Sequence, residues 1–344
     1  MDYEKVLTGV LDMRNENAQL LWEEGEYSYK MACGFEPNFV PYIHDDEKIR
    51  PCIIVVPGGG YCFVSPAEGE IIADRFFDMG YNTFVLTYTV NPLMNEPLLD
   101  TALKDISRAI RLIRRDANKF HIDENKLYLC GFSAGGHLCA DICVNFDKVK
   151  DPNKELDAIS NRADAAILSY PVINATTYAH EGSFMAKYGK DIYDRAKKGD
   201  ADAIKTLDDA SLEKHVNKNT TPCFVWHARE DDCVPMQNSL LFFKALANEG
   251  VDCALHIFGK GGHGLSLANS EWAHGRVGDR YCEEQVYAVV DALRRGEIDI
   301  SEEEKENYLQ AVHVPTKEDL KWNKINKEVS RWPQLANEWL ESLS

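Results

Sequence analysis

Lys126-Leu-Tyr-Leu-Cys-Gly-Phe-Ser-Ala-Gly-Gly-His-Leu-Cys-Ala140 decides the fold. Its first five residues read as a buried strand, and its last seven, from about Ala134, open a helix that runs to Val144. Between them lies Gly131-Phe132-Ser133-Ala134-Gly135, the pattern G-x-S-x-G at a strand-to-helix turn. Such a turn crowds the backbone, so glycine is needed on both sides of the serine. It lifts the Ser133 hydroxyl off the sheet edge and leaves the following N–H, that of Ala134, free to donate. Glycine-rich turns also occur with a serine that merely caps a helix. Here the preceding strand and following helix favour a nucleophile.

Working outward, short apolar runs alternate with helical patterns. Strands are expected at Ile53–Val56, Asn82–Val90, Ala165–Tyr170, Pro222–His227 and Asp252–Phe258. Helices are expected over 66–79, 98–119 and 236–249, the second carrying Leu103, Ile106, Ile110 and Ile113 at helical spacing. This alternation implies βαβ units and a mostly parallel, doubly wound α/β sheet. Residues 171–218 carry no strand signal and are expected to form a helical cap insertion. Residues 270–328 are expected to be an extra helical segment, with helices near 281–294 and after the capping-box pattern Ser301-Glu302-Glu303-Glu304. A last helix is expected from about 330, carrying Trp332, Leu335, Trp339 and Leu340. Neither insertion reads as an independent unit, so one domain over 1–344 is expected.

A serine hydroxyl needs a base, and the base needs an orienting acid. After the fifth of these strands, 222–227, come Ala228-Arg229-Glu230-Asp231-Asp232, and after the sixth Gly259-Lys260-Gly261-Gly262-His263-Gly264. Both loops leave the same edge of the sheet as Ser133, in the order nucleophile, acid, base. His263 is the expected base; His137 lies on the helix after the nucleophile, His227 ends a strand, and His274 lies in the extra segment. Of the adjacent acids we take Asp231, with Asp232 as the alternative. Pro57-Gly58-Gly59-Gly60-Tyr61 follows the first strand of the alternating core, where backbone N–H groups of Gly59 and Gly60, with that of Ala134, would meet a developing oxyanion. Tyr61, Phe63 and Tyr88 lie near the expected mouth as candidates for stacking on sugar rings.

Composition bounds the rest. The 344 residues carry 38 Lys and Arg against 56 Asp and Glu, a net charge of −18 that argues against a nucleic-acid partner. No apolar run approaches the roughly 20 residues of a membrane helix, and the acidic N-terminal stretch lacks the pattern of a signal peptide; no membrane partner and a cytoplasmic location are expected. The ten cysteines stand singly with no CxxC pair and are expected to be reduced thiols rather than metal ligands. There is no internal repeat, and the oligomeric state is not legible.

Taken together, Val55-Val-Pro-Gly-Gly-Gly-Tyr61, the run ending Ile122–Ala140, Thr221–Asp231 and Gly261-Gly-His-Gly-Leu-Ser-Leu267 resemble the esterase/lipase superfamily of α/β-hydrolases, most of all its acetyl esterase and acetylxylan-esterase-like branch. The resemblance covers about residues 39–270. It implies Ser133 as nucleophile, His263 as base, Gly59 and Gly60 in the oxyanion hole, and Asp231 as the acid, through the pattern D-x-x-V-P in Asp231-Asp-Cys-Val-Pro235. Two departures stand out: Pro57 replaces the histidine of the common His-Gly-Gly-Gly, and some fifty residues intervene before the last helix. The implied activity is a serine carboxylesterase without metal or organic cofactor. Its substrate would be a small-molecule ester or an acetylated oligosaccharide. Esterases for hydroxycinnamoyl or longer acyl groups are the main alternative. A serine peptidase of the prolyl-oligopeptidase type and a non-catalytic scaffold are further ones.

Overall fold

The computed structural model describes residues 13–276, 278–312 and 324–343. Part of the expected extra segment, 313–323, and the residues 1–12 therefore lie outside the described residues.

Eight strands form one sheet: β1 Gln19–Leu20, β2 Asn38–Tyr42, β3 Arg50–Val56, β4 Asn82–Thr87, β5 Ile122–Phe132, β6 Ala165–Ser169, β7 Cys223–Ala228 and β8 Cys253–Phe258. Their spatial order is β1-β2-β4-β3-β5-β6-β7-β8. From β4 to β8 all pairings are parallel, whereas β1–β2 and β2–β4 are antiparallel. Ile53–Val56, Phe84–Leu86 and Phe224–Trp226 are fully buried, as a sheet covered by helices on both faces requires. The first two strands are absent from the sequence reading. β1 pairs only with Asn38 and Phe39, so Pro41 lies where β2 has no outer neighbour and its missing N–H costs least.

The helix Thr101–Arg115 lays Ile106, Ala109, Ile110 and Ile113 against the sheet. β5 passes without a linker into the helix Ser133–Asn145. Between β6 and β7 stand three short helices, Glu181–Tyr188, Ile192–Lys197 and Ala201–Asp209. They share a small apolar cluster, including Phe184, Ile192 and Leu207, with Val172 and Val234 of the core loops.

After β8 come the helices Glu284–Arg295 and Glu302–Ala311, the latter opened by a capping box between Ser301 and Glu304. The first buries Val286, Val289, Val290 and Leu293. Its Gln285 side chain accepts from Val90 N at 2.8 Å and donates to Val90 O at 2.7 Å, replacing a strand partner just beyond β4. Tyr281 and Tyr42 join their hydroxyls at 2.9 Å. The terminal helix Trp332–Ser342 returns to the sheet, where Trp332 stacks on Trp226 with ring centroids 5.4 Å apart. The indole N–H of Trp332 donates to Ser266 O at 2.8 Å, bracing the loop that carries His263.

Candidate active site

The abrupt β5-to-helix turn places Ser133 at φ +51°, a left-handed conformation costly for a side chain with a Cβ. The turn holds because its surroundings leave no other path. A Cβ on Gly135 would collide with the carbonyls of Val56 and Pro57, so the helix start and the glycine loop after β3 touch backbone to backbone. The Ser133 hydroxyl donates to His263 Nε2 at 2.8 Å, and His263 Nδ1–H donates to Asp231 Oδ2 at 2.7 Å. The sheet edge thus joins three side chains spread over 130 residues of sequence. Asp232, the alternative acid, is exposed and stands outside this chain of hydrogen bonds.

Asp231 is fully saturated. Its Oδ1 accepts from Cys233 N at 3.0 Å and Val234 N at 2.9 Å. Its Oδ2 also accepts from His227 Nε2–H at 3.1 Å, a proton shared with Val234 O at 2.9 Å. The other nitrogen of that ring, Nδ1, accepts the Ser239 hydroxyl at 2.8 Å, which fixes the tautomer of His227. Burial works to raise the Asp231 carboxyl, but the two histidine hydrogen bonds, the charge of His263 and the Val234 N–H outweigh it. The carboxyl is held well below the usual carboxylate range.

The glycine loop runs beside the serine. Gly59 stands at φ +124° and Gly60 at φ +63°, and a Cβ on Gly59 would collide with the Phe63 carbonyl. Both glycines, Ser133 and His263 line one cleft of about 410 Å³, shared with Phe63, Met94 and His180. Ala134, in the first turn of its helix, has an N–H without an intrahelical acceptor, by the geometry of any helix start.

Tyr61 and Tyr88 correct the sequence expectation: neither faces the cleft. Tyr61 is 1% exposed and its hydroxyl meets His137 Nδ1 at 2.8 Å; Tyr88 is 0% exposed and donates to Pro57 O at 2.8 Å. A strand end says which edge a ring is near but not which face it occupies, and both rings face the core. They hold the glycine loop from behind. Of the three aromatic candidates only Phe63, 42% exposed, lines the cleft.

Glu68 carries no motif or periodicity that marks it in the sequence. It is buried at the cleft floor, where Oε2 accepts from Gly58 N at 2.8 Å and Oε1 from the Tyr170 hydroxyl at 2.6 Å. Tyr170 in turn accepts from Ser266 N at 3.1 Å and packs its ring on His263, with centroids 5.0 Å apart. One carboxylate thus ties the glycine loop to the histidine loop. Burial raises its pKa, against the pull of Tyr170, Gly58 and His263. Among the described residues no helix is long and apolar enough to cross a membrane, and no group of three His, Cys, Asp or Glu is placed to hold a metal.

A mostly parallel sheet with a strained serine at its central strand-to-helix turn, bonded to a histidine and an acid from later loops, defines the α/β-hydrolase fold of esterases. Solved structures agree. The chain is 36% identical to an acetyl ester-xyloside bifunctional hydrolase from Caldicellulosiruptor lactoaceticus, covering 83% of this chain and 98% of that one, with a TM-score of 0.65. It is 26% identical to the carboxylesterase Cest-2923 of Lactobacillus plantarum, covering 90% and 93%, with a TM-score of 0.61. The BD-FAE family model matches residues 41–246, more than half of the chain, and the chain belongs to that family. Among curated proteins it is 44% identical to endo-1,4-beta-xylanase B of Butyrivibrio fibrisolvens over 77% of this chain. It is 29% identical to the acetylxylan esterase of Xylanibacter ruminicola over 62% of it. The matches span 40% and 41% of those two relatives, so the chain corresponds to about two fifths of each.

Proposed function

We propose that the protein is a serine carboxylesterase that removes small acyl groups, foremost acetyl, from sugars or short oligosaccharides. The observation that carries this reading is the unbroken chain Ser133–His263–Asp231, at 2.8 and 2.7 Å, opening onto a small cleft walled by two glycines with positive φ. In the proposed reaction His263 Nε2 takes the Ser133 proton as Oγ attacks the ester carbonyl. Asp231 keeps the Nδ1 proton in place and stabilises the imidazolium. N–H groups of Gly59, Gly60 and Ala134 receive the oxyanion. The imidazolium returns its proton to the departing alcohol. Water, deprotonated by His263, then releases the acid from acyl-Ser133. No step needs a metal or organic cofactor.

The choice of acetyl and of a sugar rests on the relatives, whose names combine acetyl ester, xyloside and acetylxylan activities. The cleft is consistent with a short acyl group, since about 410 Å³ is at the small end of ligand sites. The test is turnover of chromogenic esters from acetate to octanoate, with acetate release from acetylated xylo-oligosaccharides. Acetate should be preferred and acetate should be released. A kcat/KM that rises steadily with acyl length would move the reading to a long-chain esterase.

A further inference from the structure

A second histidine reaches the cleft from the helices between β6 and β7. His180 caps the helix Glu181–Tyr188: its Nδ1 faces Ser183 N at 3.3 Å and the Ser183 hydroxyl at 2.8 Å. A nitrogen that accepts from a backbone N–H carries no proton, so in the neutral ring the proton resides on Nε2. Burial lowers the pKa of His180, and nearby His263 acts in the same direction against Asp231, so the neutral form is the working one. The ring stands over the oxyanion loop, with Cε1 3.7 Å from where a Cβ on Gly60 would stand. Nδ1 is turned back to its own helix, which leaves the Cε1–Nε2 edge for the cleft.

The substrate itself says what this donor would meet. An acetyl ester has a carbonyl oxygen, assigned to the glycine N–H groups, and beyond it only a methyl group. Every remaining acceptor belongs to the alcohol. Phe63, Met94, Cys62 and Cys233 give the cleft apolar walls, and Glu68 is engaged by Gly58 and Tyr170. We propose that His180 is a specificity residue whose Nε2–H donates to a hydroxyl or ring oxygen on the alcohol half of the substrate, selecting polyhydroxy alcohols such as sugars over apolar ones. This rests on the esterase reading above and names the group that recognises the leaving alcohol.

The variant for the test is His180→Asn. Asparagine is among the strongest helix N-caps, so the helix start is kept, while its shorter side chain withdraws the donor from the cleft. The readout is the ratio of kcat/KM for an acetylated xylo-oligosaccharide to that for 4-nitrophenyl acetate, whose leaving group has no hydroxyl to recognise. Loss of one hydrogen bond to the sugar should lower that ratio about 10-fold. His180→Phe, which fills the space without a donor, should lower it similarly. An unchanged ratio in folded variants, including one in which both rates fall together, would overturn the assignment. A wild-type protein active on the aryl acetate but not on the sugar ester would overturn it as well. A wild-type protein inactive on both would instead remove the esterase reading itself.

Discussion

Replacing Asp231 by asparagine tests the site most sharply, because the structure dictates which way the amide must face. The carboxylate accepts four hydrogen bonds, two on each oxygen, with its side chain 0% exposed. An amide has one acceptor oxygen. Turned towards the histidines, that oxygen would set NH₂ against the N–H groups of Cys233 and Val234 and take the acceptor from both, the second of them half-buried. Turned towards those N–H groups, it keeps the loop intact and points NH₂ at His263 Nδ1 and at His227, whose Nε2–H keeps Val234 O as its acceptor. The second orientation wins. Nδ1 must then accept, the ring proton moves to Nε2, and the base facing Ser133 can no longer take a proton. The corresponding substitution in a serine protease costs about 10⁴ in kcat, or roughly 5.5 kcal/mol of transition-state stabilisation. We expect a loss of that order in Asp231→Asn, measured as kcat on a chromogenic acetate ester, with a melting temperature near wild type. Asp232→Asn, at an exposed position, should leave kcat unchanged. An Asp231→Asn enzyme within about 10-fold of wild type, or a crippled Asp232→Asn, would refute the reasoning.

Three other perturbations follow from buried groups. Glu68→Ala strands the Gly58 N–H and the Tyr170 hydroxyl, so stability should fall by about 2–5 kcal/mol in denaturant unfolding. With the glycine loop unmoored, kcat should fall more than KM rises. Gln285→Leu should destabilise by a similar amount, because Val90 N and O both lose their partner; an unchanged unfolding midpoint would show the segment after β8 to be a surface addition. Asp105 is buried and desolvation raises its pKa to about 6, against bonds from Thr89 and Trp22. Its folded-state pKa lies above the unfolded value, so its contribution is fully present below roughly pH 4 and is lost as pH rises to about 6. The stability of wild type relative to Asp105→Asn should therefore decline between those pH values and level off above them.

What the sequence made legible is the periodic part and the motif order. The parallel strands, the helix after Ser133 and the three loops at one sheet edge follow from apolar runs and glycines, which act locally. The antiparallel strands β1 and β2 escape the sequence because two residues are too few for a pattern in β1, and in β2 Pro41 argues against a strand unless its neighbourhood is known. Position along the chain alone puts Tyr61 and Tyr88 at the cleft, and burial reverses that expectation. Glu68 and His180 had no local signal at all. Glu68 is identified by three groups that surround it only once the sheet is closed, and His180 by a helix start inside a segment without strand periodicity. The extra segment after β8 was legible as helices, but Gln285 bonding to the Val90 backbone was not.

The central claim is that Ser133 becomes acylated. The direct measurement is intact-protein mass spectrometry after rapid acid quench during turnover of an acetyl ester, followed by peptide mapping, with a fluorophosphonate as an irreversible probe of the same site. We expect one acetyl group per chain in the quenched reaction, or one phosphonyl group with the probe, each on the peptide carrying Ser133, and neither in Ser133→Ala, whose kcat falls about 10³-fold or more. A Ser133→Ala protein that hydrolyses the ester at near wild-type rate, or an adduct mapped to another residue in an active enzyme, would contradict it.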